Sequence, residues 1–123
     1  MADYMASKKS RVQDKELGLD VKHLNYNIDS SNIRFREAVD KTFFELEQLL
    51  LSKHEDYGPK NISESPGGPL NGLRVRMHDK LARLNNLVES GADPKHESLE
   101  DTLKDMANYA IIGLLVLRDE WDK

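Results

Sequence analysis

The sequence predicts an all-α fold, and three observations support this prediction. Apolar residues recur at steps of three and four over long stretches, which is the spacing of one face of a helix. Capping residues and glycine–proline breaks stand at the ends of those stretches. No stretch alternates apolar and polar residues as a half-buried strand does. With 123 residues, the chain is long enough for one domain with a modest core.

Composition excludes several classes of protein. The chain has no cysteine, so neither a disulfide framework nor a thiolate metal site is available to it. A net charge of −4 argues against duplex nucleic acid as a partner, because neutralising phosphates needs an excess of basic residues. No N-terminal apolar run resembles a signal peptide, and the longest apolar stretch is too short to span a bilayer. We therefore expect a cytoplasmic protein without a membrane partner.

The N-terminal residues differ in character from the rest. Residues 1–30 are polar, mixed in charge and without a helical period, which predicts a flexible arm ahead of a helical domain over residues 31–123. The first helix is predicted to begin after Ser30 and to end near Tyr57, where Gly58 and a proline follow. Its predicted core stripe consists of Phe35, Val39, Phe43, Leu46 and Leu50.

The middle of the chain combines a break with a second helix. Residues 58–72 hold three of the four prolines and four of the seven glycines, which predicts a long loop near a ligand, without secondary structure of its own. The helix after it is predicted from about Leu73 to Ser90, with a core stripe of Leu73, Met77, Leu81, Leu84 and Val88. A neighbouring stripe on this helix consists of Arg76, Asp79, Lys80 and Arg83. It is either a solvent-exposed surface with ion pairs along the helix, or a site in which the carboxylate binds a metal ion and the flanking cations bind phosphate.

The last helix is predicted to open at Asp93, with Pro94 at its first position. Within it, the run from Tyr109 to Leu117 is apolar on every side and must therefore be buried on every side. Three helices of a chain this small cannot cover that run, so we expect subunits to associate. Gly113 costs about 1 kcal/mol in a helix and is interpreted as the mark of a close helix crossing.

The same helix is predicted to present an acidic stripe, with steps of four, four and three, made of Glu97, Asp101, Asp105 and Asn108. Like charges at these spacings oppose helix formation. A divalent ion such as magnesium, which prefers oxygen ligands, offsets that repulsion. The alternative is a solvated acidic face with Lys104 as a partner.

Three blocks of the sequence resemble a known family. They are Lys53-x-x-Asp56-Tyr57-Gly58, Arg76-x-x-Asp79-Lys80-x-x-Arg83-Leu84 and Glu97-Ser98-Leu99-x-Asp101-x-x-x-Asp105-x-x-Asn108-Tyr109-Ala110. In this order they resemble the phage-type MazG-like, or nucleotide-modification-associated, domain. That domain is a distant relative of MazG and the dimeric dUTPases within the all-α nucleoside triphosphate pyrophosphohydrolases. The resemblance extends from about Phe35 to Trp121.

The resemblance implies an antiparallel helical bundle, completed by oligomerisation as a homodimer or homotetramer. It implies a hydrolase that uses Mg²⁺ or Mn²⁺ and converts a (deoxy)nucleoside triphosphate to monophosphate and pyrophosphate. A purine deoxynucleotide such as dGTP is the expected substrate, on the phage-like resemblance and on Tyr57 as a stacking platform.

The resemblance also suggests roles for individual residues. The metal ligands are Asp79, Glu97 and Asp101, and Asp105 is a fourth ligand or the base that orients water. Cationic side chains are candidates for the phosphates, namely Lys53, Lys80, Arg83 and Arg76. Asn108 contacts ribose or base, and Asp56 either caps or pairs with a lysine or takes part in substrate binding. The histidines and Trp121 are interpreted as surface, capping or interface residues.

One half of the metal motif typical of the superfamily is reduced. The first half of that motif is a Glu-x-x-Glu pair on one helix. In this chain the second predicted helix offers only Asp79 for it, and Arg76 stands where a glutamate is expected. Either Glu45 or Glu47 completes the metal site, or the number of metal ions differs. The reduction favours an alternative function, a non-catalytic helical module that binds nucleotides or assists DNA modification. A purely structural oligomer leaves the glycine–proline segment unexplained.

Overall fold

The structure is a computed structural model that describes residues 30–122, which form four helices and no strand. Helix α1 spans Ser30–Tyr57, α2 Lys60–Ser63, α3 Pro69–Ser90 and α4 Leu99–Leu117. The all-α prediction is confirmed. The predicted arm lies outside the described residues, apart from Ser30, and stays a prediction. Within the described part of the chain, no helix has the length and apolarity needed to cross a membrane.

Helix α1 ends where the sequence predicts. Gly58 takes a φ of +68°, and its N–H donates to the carbonyl of His54 at 2.8 Å. This left-handed conformation strains any residue that carries a Cβ, so glycine is the natural residue at the helix end. Gly91 ends α3 in a similar way, with its N–H bound to the carbonyl of Leu87.

The predicted long loop over residues 58–72 is wrong, because helix occupies most of it. The short helix α2 begins just after Pro59, and α3 begins at Pro69 rather than near Leu73. Pro69 stands in the first turn, where its missing N–H costs nothing and its fixed φ suits the helix. Gly68 precedes it with a φ of +94°. Pro59 and Pro69 therefore stand at the starts of helices rather than prevent them, whereas Pro66 lies in the turn between α2 and α3.

The predicted start of the last helix at Asp93 is also wrong. Helix α4 begins at Leu99, and Ser98 is its N-cap, with Oγ accepting from the N–H of Asp101 at 3.0 Å. Glu100 and Asp101 then place negative charge in the first turn, where the helix dipole favours it. Glu97 consequently lies before the helix and is not part of a helical stripe.

Contacts divide the chain into two units after Glu45, within α1. In the described part of the first unit, Phe35 and Phe43 are exposed, although the sequence predicts that they face a core. The second unit has a small buried core of Ile62, Leu73 and Ile112. Partly buried side chains pack against that core, namely Leu50, Tyr109, Val116 and Trp121.

The apolar run of α4 is only partly covered in the single chain. Ile112 is buried, whereas Leu114 and Leu117 are exposed, as are Leu81 and Val88 of α3. Contiguous exposed apolar surface marks interaction sites in soluble proteins. Association of subunits therefore remains our prediction, as the way to cover these side chains.

We expect light scattering at micromolar concentration to show a dimer or a dimer of dimers. Leu114→Glu should shift the protein towards monomer and leave its helix content intact, because this side chain is 48% exposed in the single chain. A monomeric wild-type protein would contradict the prediction.

Within the single chain, the close helix approach expected at Gly113 is found at Gly72 instead. A Cβ built on Gly113 would meet only Leu73 Cδ1, at the ordinary contact distance of 3.8 Å. A Cβ built on Gly72 would lie 2.5 Å from Ser65 Cβ and 2.9 Å from Arg76 Nη1. Gly72 is thus the position where a missing side chain lets α3 pack against the segment after α2.

Candidate functional site: a carboxylate–lysine centre beside an aromatic cleft

Asp105 is the centre of the candidate site. It lies on the buried face of α4, and its side chain is 9% exposed. Oδ1 accepts from Lys53 Nζ of α1 at 2.7 Å, and Oδ2 lies 2.9 Å from Lys80 Nζ of α3. One carboxylate therefore connects three helices.

Glu97 forms the second half of the centre. Its two carboxylate oxygens lie 2.8 and 3.0 Å from Lys80 Nζ, so the ammonium group stands between two carboxylates. The buried Thr102 donates to Glu97 Oε2 at 2.7 Å. Arg83 donates to Thr102 Oγ1 at 2.6 Å and to the main-chain carbonyl of Glu97. This network holds the residues before α4 against α3.

The pairing shifts the pKa of four groups in the centre, the carboxyls of Asp105 and Glu97 and the ammonium groups of Lys53 and Lys80. Burial raises the pKa of Asp105, but hydrogen bonds and charge from the two lysines outweigh burial and hold that pKa below its ordinary value. Hydrogen bonds from Lys80 and Thr102 lower the pKa of Glu97. Burial lowers the pKa of Lys53 and of Lys80, but their carboxylate partners outweigh it and raise both. The centre is therefore ionised at neutral pH.

These shifts predict how stability depends on pH. Folding lowers the pKa of Glu97 from 4.5 and that of Asp105 from 3.8. Each carboxyl therefore stabilises the protein fully at a pH above its unfolded pKa, and it loses that contribution as the pH falls through the folded pKa. A lysine whose pKa is raised stabilises fully below 10.5 and loses its contribution as pH rises through the folded pKa.

We therefore expect the free energy of unfolding, measured in urea, to fall in acid below about pH 4.5 and in alkali above about pH 10.5. Lys80→Met should flatten the acid limb, because both carboxyls lose a partner. An acid limb equally steep in the variant would show that Lys80 does not set it.

Beside this centre lies a cleft of about 210 Å³. One part of its wall is apolar or aromatic, formed by Leu50, Tyr57, Ile62, Tyr109, Ile112 and Trp121. The other part is polar, formed by Lys53, His54, Asn61, Arg76, Asp105 and Asn108. The cleft thus offers flat rings, two cations and several hydrogen-bonding groups in one place.

Three polar atoms of buried or half-buried cleft residues have no hydrogen-bond partner: His54 Nδ1, Asn61 Oδ1 and Asn108 Oδ1. Leaving one such atom unsatisfied costs about 1–3 kcal/mol. Buried polar atoms in folded proteins are normally satisfied by protein, water or ligand. All three residues line the same cleft, which makes it the candidate place for a ligand that supplies the missing hydrogen bonds.

The C-terminal turn brings Trp121 to the cleft. Asp119 takes a positive φ of 55°, and Glu120 N–H donates to the carbonyl of Leu115 at 2.8 Å, which turns the chain back. Trp121 Nε1–H then donates to the carbonyl of Pro59 at 3.1 Å. The indole also meets the ring of His54 edge-on, with centroids 5.0 Å apart. Trp121 is therefore part of the cleft wall.

The structure brings together some of the predicted site residues and separates others. Glu97, Lys80, Arg83, Asp105 and Lys53 form the centre, and the cleft adds Tyr57, Arg76 and Asn108. Arg76 also has a structural role, because it donates to the carbonyl of Asn61 at 2.9 Å. Asp56, Asp79 and Asp101 are exposed, outside both the centre and the cleft wall.

The predicted metal ligands do not meet in the described chain. Within residues 30–122, no group of three or more His, Asp or Glu side chains is placed to hold a metal ion. Glu97 instead binds Lys80, and the exposed Asp101 lies in the first turn of α4, where its N–H donates to the N-cap Ser98. The donor set of the single chain therefore does not fit a divalent ion, and a metal-ion cofactor stays a prediction.

Sequence reasoning missed Thr102, His54, Asn61 and the placement of Trp121. Asp101 and Thr102 lie four and three residues before Asp105, so helical spacing alone does not show which of them shares the buried face with it. In the structure that residue is Thr102, which is buried. His54 and Asn61 lie next to the predicted block around Lys53, but their missing partners are visible only once the helices are packed.

The fold and site define a small helical domain with an ionised centre and a polar, aromatic cleft. The family described as nucleotide modification associated domain 1 matches residues 53–117, which is more than half of the chain. The chain belongs to this family. The match supports the predicted resemblance to a nucleotide-modification-associated domain, whereas a relationship to MazG stays a prediction. No curated protein and no solved structure matches the chain.

Proposed function

We propose that this domain binds a nucleotide, with the base in the cleft and the phosphates at its rim. The observation that supports this proposal most strongly is the meeting of aromatic rings, unpartnered polar atoms and cations in one cleft. Pockets for drug-sized ligands occupy roughly 300–1,000 Å³. A cleft of about 210 Å³ therefore suits one ring system, with the remainder of the ligand outside.

The cations give the rim its affinity for phosphate. The side chain of Lys53 is 48% exposed and keeps its charge at neutral pH, because the pKa is raised. Tyr57 lies next to it on the cleft wall and is also exposed, so its ring is open to a ligand. A phosphate that reaches Lys53 shares its ammonium group with Asp105, because that group has three N–H donors and the hydrogen bond to Asp105 uses one of them.

The finer proposal is hydrolysis of a nucleoside triphosphate to monophosphate and pyrophosphate, with Mg²⁺ or Mn²⁺. It rests on the resemblance of the three sequence blocks and on the closeness of Glu97 and Asp105, which share Lys80. Binding without hydrolysis is the second candidate. It is favoured by the lack of a three-carboxylate group in residues 30–122.

A panel of canonical and modified nucleoside triphosphates, tested with magnesium or manganese, distinguishes the two candidates. Hydrolysis should give monophosphate and pyrophosphate, with oxygen-18 from labelled water in the monophosphate. Binding without turnover across the panel would favour the second candidate, and absence of binding would contradict both.

The metal-ion cofactor is tested by thermal unfolding. Metal bound at the acidic residues should raise the melting temperature, and Asp101→Asn should remove most of the increase. An equal increase in the variant and the wild type would contradict a role of Asp101 in metal binding.

Binding itself is tested by a matched pair of lysine variants. Lys53→Met should weaken triphosphate binding about tenfold, the size of one lost charged contact. Lys60→Met is the control, because Lys60 is exposed on α2 and is not part of this cleft wall. Equal affinities for the two variants in calorimetry would contradict the placement of the phosphates.

A further inference from the structure

The three unpartnered atoms of the cleft share one chemical property: each accepts a hydrogen bond. Asn108 Nδ2 donates to the carbonyl of Leu46 at 3.2 Å, which fixes the amide and leaves Oδ1 as the atom without a partner. His54 Nε2 lies 3.0 Å from Asp122 Oδ2 and donates to that carboxylate, which in the neutral form of the ring leaves Nδ1 as an acceptor. Asn61 Oδ1 is the third.

The cationic donors of the cleft wall already have protein partners. Lys53 donates to Asp105 at 2.7 Å, and Arg76 donates to Ser65 Oγ and to the main chain of Asn61. The acceptors come from three helices, because His54 lies on α1, Asn61 on α2 and Asn108 on α4. A ligand that pairs with these acceptors must therefore bring donors of its own, and because the three atoms are buried, the wall must shift slightly to admit it.

Nucleobases differ in the number of N–H groups they offer. Guanine has a ring N–H next to an amino group, so it offers three N–H bonds, two along its Watson–Crick edge and a third beside that edge. Adenine and cytosine offer the two of an amino group. Thymine and hypoxanthine offer a single ring N–H on the corresponding edge. In number of donors, guanine is thus the base that matches three acceptors.

We propose that the cleft selects guanine among the bases by offering the acceptors of His54, Asn61 and Asn108 to its ring N–H and amino group. This inference rests on the proposed nucleotide binding and adds the identity of the base. A site built to hydrogen-bond a substrate N–H rejects an analogue that lacks it, because its own buried polar atoms are then left unpaired.

The test compares dGTP with deoxyinosine triphosphate, which differs from it only by the missing amino group. Binding is measured by calorimetry in EDTA, so that hydrolysis does not interfere. We expect dGTP to bind at least about tenfold more tightly, with dATP and dCTP between them. Equal affinity for dGTP and deoxyinosine triphosphate would overturn the selection of guanine and leave nucleotide binding intact. Absence of binding by any triphosphate would overturn both.

Two variants assign the preference to the cleft. Asn61→Ala removes one acceptor, and it leaves the main-chain carbonyl that Arg76 and Ser65 use. His54→Phe removes another and keeps a ring against Trp121. Each should reduce the ratio of the two affinities, whereas the exposed Ser63→Ala on α2 should not. An unchanged ratio in both cleft variants would overturn the assignment.

Discussion

Asp105→Ala is expected to lower the free energy of unfolding by about 2–3 kcal/mol. Removing one partner of a buried ion pair costs roughly 3–5 kcal/mol when the other charge is left buried and alone. Here the cost is smaller, because Lys53 is half exposed and Lys80 keeps its contacts with Glu97. The loss should appear in urea unfolding at neutral pH, where the centre is ionised.

The control for this variant is Asp101→Ala, three residues after the N-cap of the same helix. Asp101 is exposed, so its removal should cost only the few tenths of a kcal/mol, up to about 1, of a charge in the first turn of a helix. If the two variants lose the same stability, the two-lysine arrangement around Asp105 contributes nothing. Asp105→Asn should lie between them, because it keeps one acceptor oxygen.

Gly72→Ala is expected to destabilise the protein by about 1–2 kcal/mol, despite the better helix propensity of alanine. The added methyl group would lie 2.5 Å from Ser65 Cβ, so α3 must move away from the residues after α2. Arg76 is also in the way, with Nη1 at 2.9 Å from the new carbon. The displacement should disturb the cleft as well, since Arg76 and Asn61 both belong to its wall.

Gly113→Ala is the matched control, because it makes the same substitution in a helix without a clash. The new methyl group would contact Leu73 Cδ1 at 3.8 Å, so we expect a gain of up to about 1 kcal/mol from helix propensity. A loss of stability at Gly113 that depends on protein concentration would instead support a close helix crossing between subunits at this residue. A gain at Gly72 would contradict the packing described for α3.

Much of the fold was predictable because helix ends depend on local chemistry. Gly58 and Gly91 end helices where the left-handed conformation is needed, and the sequence predicts the helix ends just before them, near Tyr57 and Ser90. The errors arose where two local signals compete. Pro69 was interpreted as part of a loop although it suits a first helical turn. Asp93 before Pro94 predicts an N-cap, whereas in the structure the side chain of Ser98 caps the helix.

The site was predictable only in part, for a different reason. Charged residues at helical spacing indicated Lys80, Arg83 and Asp105, and the structure brings them to one centre. The sequence does not show which carboxylate finds a lysine, so Glu97 was assigned to metal although it binds Lys80. The cleft depends on residues from α1, α2 and the C-terminal turn, which meet only after packing.

The central claim is that the cleft binds a nucleotide, and the fluorescence of Trp121 tests it most directly. Trp121 is the single tryptophan of the chain and forms part of the cleft wall. Titration with dGTP should change its emission in a saturable way, and Lys53→Met should move the midpoint to about tenfold higher concentration. Emission that stays constant while calorimetry detects dGTP binding would place the nucleotide elsewhere and contradict the claim.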